Sequence, residues 1–187
     1  MPTVSLVHTK GGVAKTTSAV YLATAAHRRG RDVVLVDADP QGSALEWAAA
    51  AQDDPPLPFP VVPARRPPLD VSGRQELTIV DTPPPGTAQV IQEAIELADL
   101  VVVPTGGFTA GCPPGMADFG DHRTPPPTAV LLTGVDLRTR LADEVKTLLE
   151  DEGVPVIETR IVRREGIRRA SGLHRITCTA TTTCSTS

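Results

Sequence analysis

The chain has 187 residues, of which 40% are hydrophobic and 3% aromatic, and carries a net charge of −4 at neutral pH. That is enough apolar material for one domain with a core, too few aromatics for a platform that stacks single-stranded bases, and no overall attraction to nucleic acid. No apolar run reaches the length of a membrane span, and no basic segment followed by a long apolar stretch opens the chain, so neither a span nor a secretory leader is expected. Cys112, Cys178 and Cys184 form no CxxC pair, which argues against a disulfide framework or a zinc site. A cytoplasmic protein is expected.

Val4 to Val7 is short and rich in β-branched residues, as in a buried strand. A glycine loop follows, and from Thr16 the apolar spacing turns helical through Ala26, ending near Gly30. Asp32 to Asp37 reads as a second buried strand and Ser43 to Ala51 as a helix. Residues 55 to 70 hold seven prolines and read as an irregular connection. Leu77 to Asp81 is a third strand, broken by Pro83 to Gly86, and Thr87 to Ala98 is a helix. Leu100 to Val103 and Ala129 to Leu132 are further strands, Arg138 to Glu152 a helix, and Val154 to Ile157 a last strand. Continuous apolar strands alternating with helices predict a doubly wound α/β domain, mainly parallel, over residues 1 to 172. Ligands of such sheets bind at the carboxyl ends of the strands. Residues 9 to 16, 37 to 42 and 81 to 86 lie at three of those ends.

The segment HTKGGVAKTT, residues 8 to 17, has the order of a phosphate loop: strand, glycines, Lys-Thr, helix. Gly11, Gly12, Val13 and Ala14 can turn backbone N–H groups toward phosphate oxygens, the helix start adds partial positive charge, Lys15 reaches the β- and γ-phosphates, and Thr16 offers its hydroxyl to Mg²⁺. The GxxxxGK[ST] pattern is incomplete, because Thr9 and Ala14 stand at its two glycine positions. Asp81, after LTIV, sits where a Walker-B aspartate holds Mg²⁺ through water. Asp37 and Asp39 end the second strand in VDADPQG, suited either to turn chemistry or to water and metal positioning beside a nucleotide.

KGGVAKTT, VDADPQGSALEW and IVDTPP together resemble the ParA/MinD family of deviant Walker ATPases, most closely its short plasmid-type or phage-type partition proteins. The resemblance covers residues 1 to 104 and returns over about 129 to 172. It implies that Lys10 is the additional lysine that reaches, across an ATP-dependent homodimer, to the phosphates held by the partner subunit. It further implies that Asp39 orients the hydrolytic water, that Asp37 supports the metal site and that Thr17 contacts the α-phosphate region. ATP and Mg²⁺ are the implied cofactors. The implied partners are a second copy of the chain, non-specific DNA and a ParB-like centromere-binding protein that stimulates a slow ATPase, placing the protein on the nucleoid.

Three departures accompany the resemblance. Residues 104 to 129 hold five glycines and six prolines, where the family carries an amphipathic helix. Thr133 and Gly134 stand where family members commonly place an asparagine that reads the adenine edge. Residues 173 to 187 form a Ser/Thr-rich, low-complexity tail expected to be disordered.

Arg160, Arg163, Arg164, Arg168 and Arg169 (with Arg175 further on) stand against one acid, Glu165. They form either a solvated basic face or a sequence-independent DNA footprint like that of ParA dimers. The tail has no bulky amphipathic helix for a membrane surface. Two alternatives stay open: a degenerate nucleotide-binding protein without partition activity, and a metabolic P-loop ligase.

Overall fold

Strands form where β-branched and leucine residues run without interruption, and in the computed structural model those runs lie side by side in one sheet. The structure describes residues 1–8, 10–51, 56–64, 69, 74–84, 88–106 and 126–163. The elements in chain order are β1 (Thr3–Leu6), α1 (Lys15–Arg28), β2 (Val33–Asp37), α2 (Ser43–Ala50), β3 (Val61–Pro63), β4 (Leu77–Asp81), α3 (Ala88–Glu96), β5 (Leu100–Gly106), β6 (Thr128–Val135), α4 (Leu141–Asp151) and β7 (Ile161–Val162). The seven strands are ordered β3-β2-β4-β1-β5-β6-β7, and every pairing is parallel. The expected doubly wound α/β architecture is therefore the one observed.

Period-two alternation sends neighbouring residues of each strand to opposite faces. Leu6, Val33, Leu35, Ile79 and Val102 pack with Ala19, Val20 and Ala23 of α1 and with Ala44 and Trp47 of α2. Val34, Val36 and Val80 pack on the other face with Val90 and Ala94 of α3. At the far edge Val130, Leu132 and Val135 pack with Ala142 and Leu149 of α4. Burying each such Val or Leu side chain stabilises by about 1.5–3 kcal/mol. Central β1 leaves toward β2 on one side, while β4 crosses over it to β5 on the other. This reversal opens a crevice at the carboxyl end of β1.

Several boundaries differ from expectation. The proline-rich connection contains a strand, β3, parallel to the edge of β2. The Leu35 N–H donates to the Pro60 carbonyl and the Ala64 N–H to the Asp37 carbonyl. Donors facing β2 alternate, so Pro63 falls on the outward side, where its missing N–H costs nothing. The strand expected over Val154 to Ile157 makes only a bridge, Val130 to Val156, and the chain rejoins β6 as β7 five residues on. The intervening Glu158, Thr159 and Arg160 are polar; Lys146 and Asp143 of α4 hold two of them by ion pairs. α4 begins at Leu141 rather than Arg138, because Asp136 makes a turn: its side chain accepts the Arg138 N–H and its carbonyl the Thr139 N–H. β5 runs through Gly106 and β6 starts at Thr128, both longer than expected. The glycine- and proline-rich stretch between them, and the Ser/Thr-rich tail, lie outside the described residues.

Candidate functional site

The loop after β1 fills the crevice. Gly12 takes φ 75°, and Ala14, immediately before α1, takes φ 68° and ψ 36°. Ala14 is the only non-glycine in the left-handed region among the described residues. Such a conformation costs roughly 1–2 kcal/mol for a residue with a Cβ. The Ala14 carbonyl accepts both the N–H (2.9 Å) and the hydroxyl (2.7 Å) of Ser18. The carbonyl before it, on Val13, accepts the Thr133 hydroxyl at 3.2 Å. No side chain caps α1, and its first turn carries no acid. Its leading N–H groups are thus left for an anionic ligand, which the helix dipole also favours. Thr9 lies outside the described residues.

A pocket of about 510 Å³ opens over this helix start. Gly11, Gly12, Ala14, Lys15, Thr16, Thr17 and Asp39 line it, together with Gln41 and the α2 face of Ser43, Glu46, Trp47 and Ala50. The size is that of a small-molecule site. Val13 is turned into the core and does not line the pocket. The α2 wall is a feature that sequence reasoning missed; the pattern DPQGSALEW marks the segment without showing which of its residues face the loop.

Two aspartates end adjacent strands, in register as Asp37 and Asp81. They serve different ends. Asp37 accepts the Asp39 N–H on one oxygen (3.1 Å) and the Ala44 and Leu45 N–H groups on the other (3.0 Å each). It caps the start of α2 and organises the Asp39 loop. Asp81 is fully buried, and neither oxygen has a hydrogen-bond partner. Burial pushes its carboxyl up to about 7; the nearby Thr16 hydroxyl opposes that rise without a hydrogen bond of good geometry, Asp37 adds to it, and Lys15 opposes it. A buried carboxylate with both oxygens open needs a cation or donor to explain it. Among the described residues no three His, Cys, Asp or Glu side chains form a metal cage. The unpartnered Asp81 carboxylate with the Thr16 hydroxyl near it fits Mg²⁺, which takes one or two protein oxygens and completes its shell with phosphates and water. Thr16 and Asp81 are the residues that would hold it.

The two lysines are placed differently. Lys15 is buried at the pocket floor; burial lowers its pKa, and Asp81 and Asp39 oppose that fall. Lys10 is exposed and does not line the pocket beside its own loop. Its backbone N–H donates to Nδ1 of buried His8 at 2.8 Å. That bond puts the proton of neutral His8 on Nε2, and burial, with Lys15 and Lys10 nearby, holds the imidazole below its ordinary pKa.

Asp39 lines the pocket with one oxygen accepting the Gln41 N–H at 2.9 Å. Thr133 is buried, engaged with the loop and absent from the pocket wall. Of the arginines, Arg160 pairs with Asp143 at 2.6 Å. Arg163 is exposed. Arg164, Arg168 and Arg169 lie outside the described residues. No helix among the described residues is long and apolar enough to cross a membrane.

The profile of the CobQ/CobB/MinD/ParA nucleotide binding domain matches residues 4–177. A relative from Gloeobacter kilaueensis, "Maintenance of carboxysome distribution protein A", is 36% identical over 182 residues, covering 90% of this chain and 80% of that one. The "Chromosome-partitioning ATPase Soj" of Thermus thermophilus is 54% identical over 41 residues, 22% of this chain and 16% of that one. Cobyrinic acid a,c-diamide synthase from Mycobacterium smegmatis, solved with an ATP analogue and magnesium, superposes with a TM-score of 0.69 at 22% identity, covering 92% of each chain. The loop, its lysines and the paired strand-end aspartates thus have their family: the chain belongs to the ParA/MinD group of P-loop nucleotide-binding proteins.

Proposed function

We propose that the protein is a ParA-type positioning ATPase that binds ATP and Mg²⁺, dimerises on ATP, holds DNA non-specifically in that state, and hydrolyses ATP slowly until a partner protein stimulates it. The observation that carries this reading is the division between the lysines. Lys15 lies buried in the pocket, while Lys10 is exposed and outside it, free to serve phosphates held by another subunit. The names of the relatives, one distributing carboxysomes and one partitioning chromosomes, support a role in moving or spacing a cargo.

In this reading the N–H groups from Gly11 to Thr17 and the Lys15 ammonium bind the phosphates. Thr16 and Asp81 would hold Mg²⁺, which would neutralise phosphate charge. Asp37 fixes the loop through its three backbone bonds, which leaves Asp39 at the pocket wall to orient a water. Lys10 of each subunit is delivered in trans to charge that grows in the transition state. Arg163 and its sequence neighbours Arg164, Arg168 and Arg169 form the DNA footprint. A dimer doubles that footprint, so ATP controls DNA affinity through avidity. The partner is of the ParB-like, centromere-binding kind, and the working location is the nucleoid.

The test is a comparison of nucleotide states. Purified protein with Mg²⁺ and a non-hydrolysable ATP analogue should double in mass by light scattering and be retained on a duplex of arbitrary sequence. With ADP it should do neither. A monomer in every nucleotide state would refute the reading and favour a nucleotide-binding protein without partition activity.

A further inference from the structure

The loop sequence here has an alanine where φ is +68°, and the fold surrounds that residue with hydrogen bonds a glycine would not need. Thr133 lies 120 residues away on β6, is 1% exposed, and donates its hydroxyl to the Val13 carbonyl, one side of the Val13–Ala14 peptide. Ser18 holds the carbonyl on the other side of Ala14. The Ser18 bond is the ordinary back-bond of a helical serine. The Thr133 bond is tertiary, and the sheet prepares a place for it. Gly106 pairs in register with Thr133, and a Cβ on Gly106 would come within 2.8 Å of the Thr133 hydroxyl oxygen. Gly106 thus leaves room for the rotamer that reaches the loop.

We propose that Thr133 is a positioning residue for nucleotide binding: from outside the pocket its hydroxyl locks the Val13–Ala14 peptide so that Ala14 keeps the left-handed conformation the phosphate loop requires. Strained backbone persists only where its surroundings over-determine it. Without the lock, Ala14 relaxes in the free protein, the N–H groups no longer converge, and the ligand must re-impose the geometry. Apparent affinity then falls by the fraction of protein left competent. With glycine at residue 14 the left-handed conformation carries no penalty, and the lock becomes dispensable. The inference rests on this loop being the phosphate site.

The experiment is a double-mutant cycle read as affinity for a fluorescent ATP analogue with Mg²⁺. Thr133→Val should weaken binding about 5- to 15-fold in the parent, the worth of one net hydrogen bond and the strain it restrains. On the Ala14→Gly background the same change should cost less than about twofold. Thr133→Ser, which keeps the hydroxyl, should bind like the parent. Gly106→Ala should reproduce the Thr133→Val loss, again only with alanine at residue 14. Equal losses from Thr133→Val on both backgrounds would overturn the proposal, since the hydroxyl would then only satisfy its own buried bond. A Thr133→Ser loss as large as that of Thr133→Val would also overturn it, by assigning the effect to packing. Lys15→Ala, run alongside, separates the layers. If it loses binding while the cycle shows no coupling, the lock alone fails; if it binds like the parent, the phosphate-site reading fails and the lock with it.

Discussion

Asp81 concentrates the chemistry of the site in one residue. Its carboxyl is raised from 3.8 to about 7, chiefly by burial. A group whose folded pKa lies above its unfolded value holds an extra proton in the folded state between the two. Stability of the nucleotide-free, metal-free protein should therefore fall as pH rises from about 4 to about 7, by an amount on the order of a few kcal/mol. Asp37, also raised by burial, acts in the same direction. His8, whose pKa is lowered, acts oppositely below pH 6.5. Asp81→Asn isolates the effect: its melting temperature at pH 8 should exceed that of the parent, and its pH profile should be flatter. A parent protein whose melting temperature rises steadily from pH 5 to 8, with Asp81→Asn following it, would show that Asp81 is not a buried, unpartnered carboxylate. The sequence announces that an acid stands at the end of LTIV. It does not distinguish Asp81 from Asp37, since both end short strand-forming runs, LTIV and VVLV. The difference is made by α2, whose first N–H groups reach back to Asp37 and leave Asp81 alone.

At the scale of elements, α2 depends on that bonding to Asp37. It has no side-chain cap of its own; Gly42 precedes it at φ 69° and Asp37 supplies the acceptor from seven residues upstream. Asp37→Ala should leave the Ala44 and Leu45 N–H groups unpaired and cost about 2–3 kcal/mol, since hydrogen bonds to a charged acceptor are worth roughly twice ordinary ones. Chemical denaturation would measure the loss, and faster hydrogen exchange at Ala44 and Leu45 would locate it. Unchanged exchange there would assign the cap elsewhere. The long strands are legible because burial on both faces makes their runs predominantly apolar, and the helices because one face of each is apolar. β3 is not, because three prolines flank or enter it and only an edge position, invisible in sequence, makes Pro63 harmless. β7 is misplaced by the sequence pattern because Val154 to Ile157 is the more apolar run; the pairing resumes only after Glu158 and Arg160 are drawn aside by Lys146 and Asp143 of α4. Those partly exposed ion pairs are worth little individually.

At the scale of the whole molecule, the sheet order puts the loop, Asp39 and Asp81 at one end, with Lys10 exposed beside them. A net charge of −4 gives no general affinity for DNA, so any binding must come from a local patch multiplied by assembly. Replacing Arg163 and Arg164 by alanine together should weaken binding to any duplex and lower the salt slope by about one unit for each phosphate no longer neutralised, while ATP binding survives. An identical slope would make the arginines a solvated face. The family resemblance singles out Lys10; only the fold shows that it stands outside its own pocket while Lys15 lies within. The central claim is that this lysine works in trans, and light scattering of Lys10→Ala with Mg²⁺ and a non-hydrolysable ATP analogue tests it most directly. Removing two charge-assisted hydrogen bonds from a closed interface should weaken the dimer by about two to four decades in dissociation constant, while nucleotide affinity per subunit falls only modestly. A Lys10→Ala protein that dimerises on the analogue at the same concentration as the parent would contradict the account.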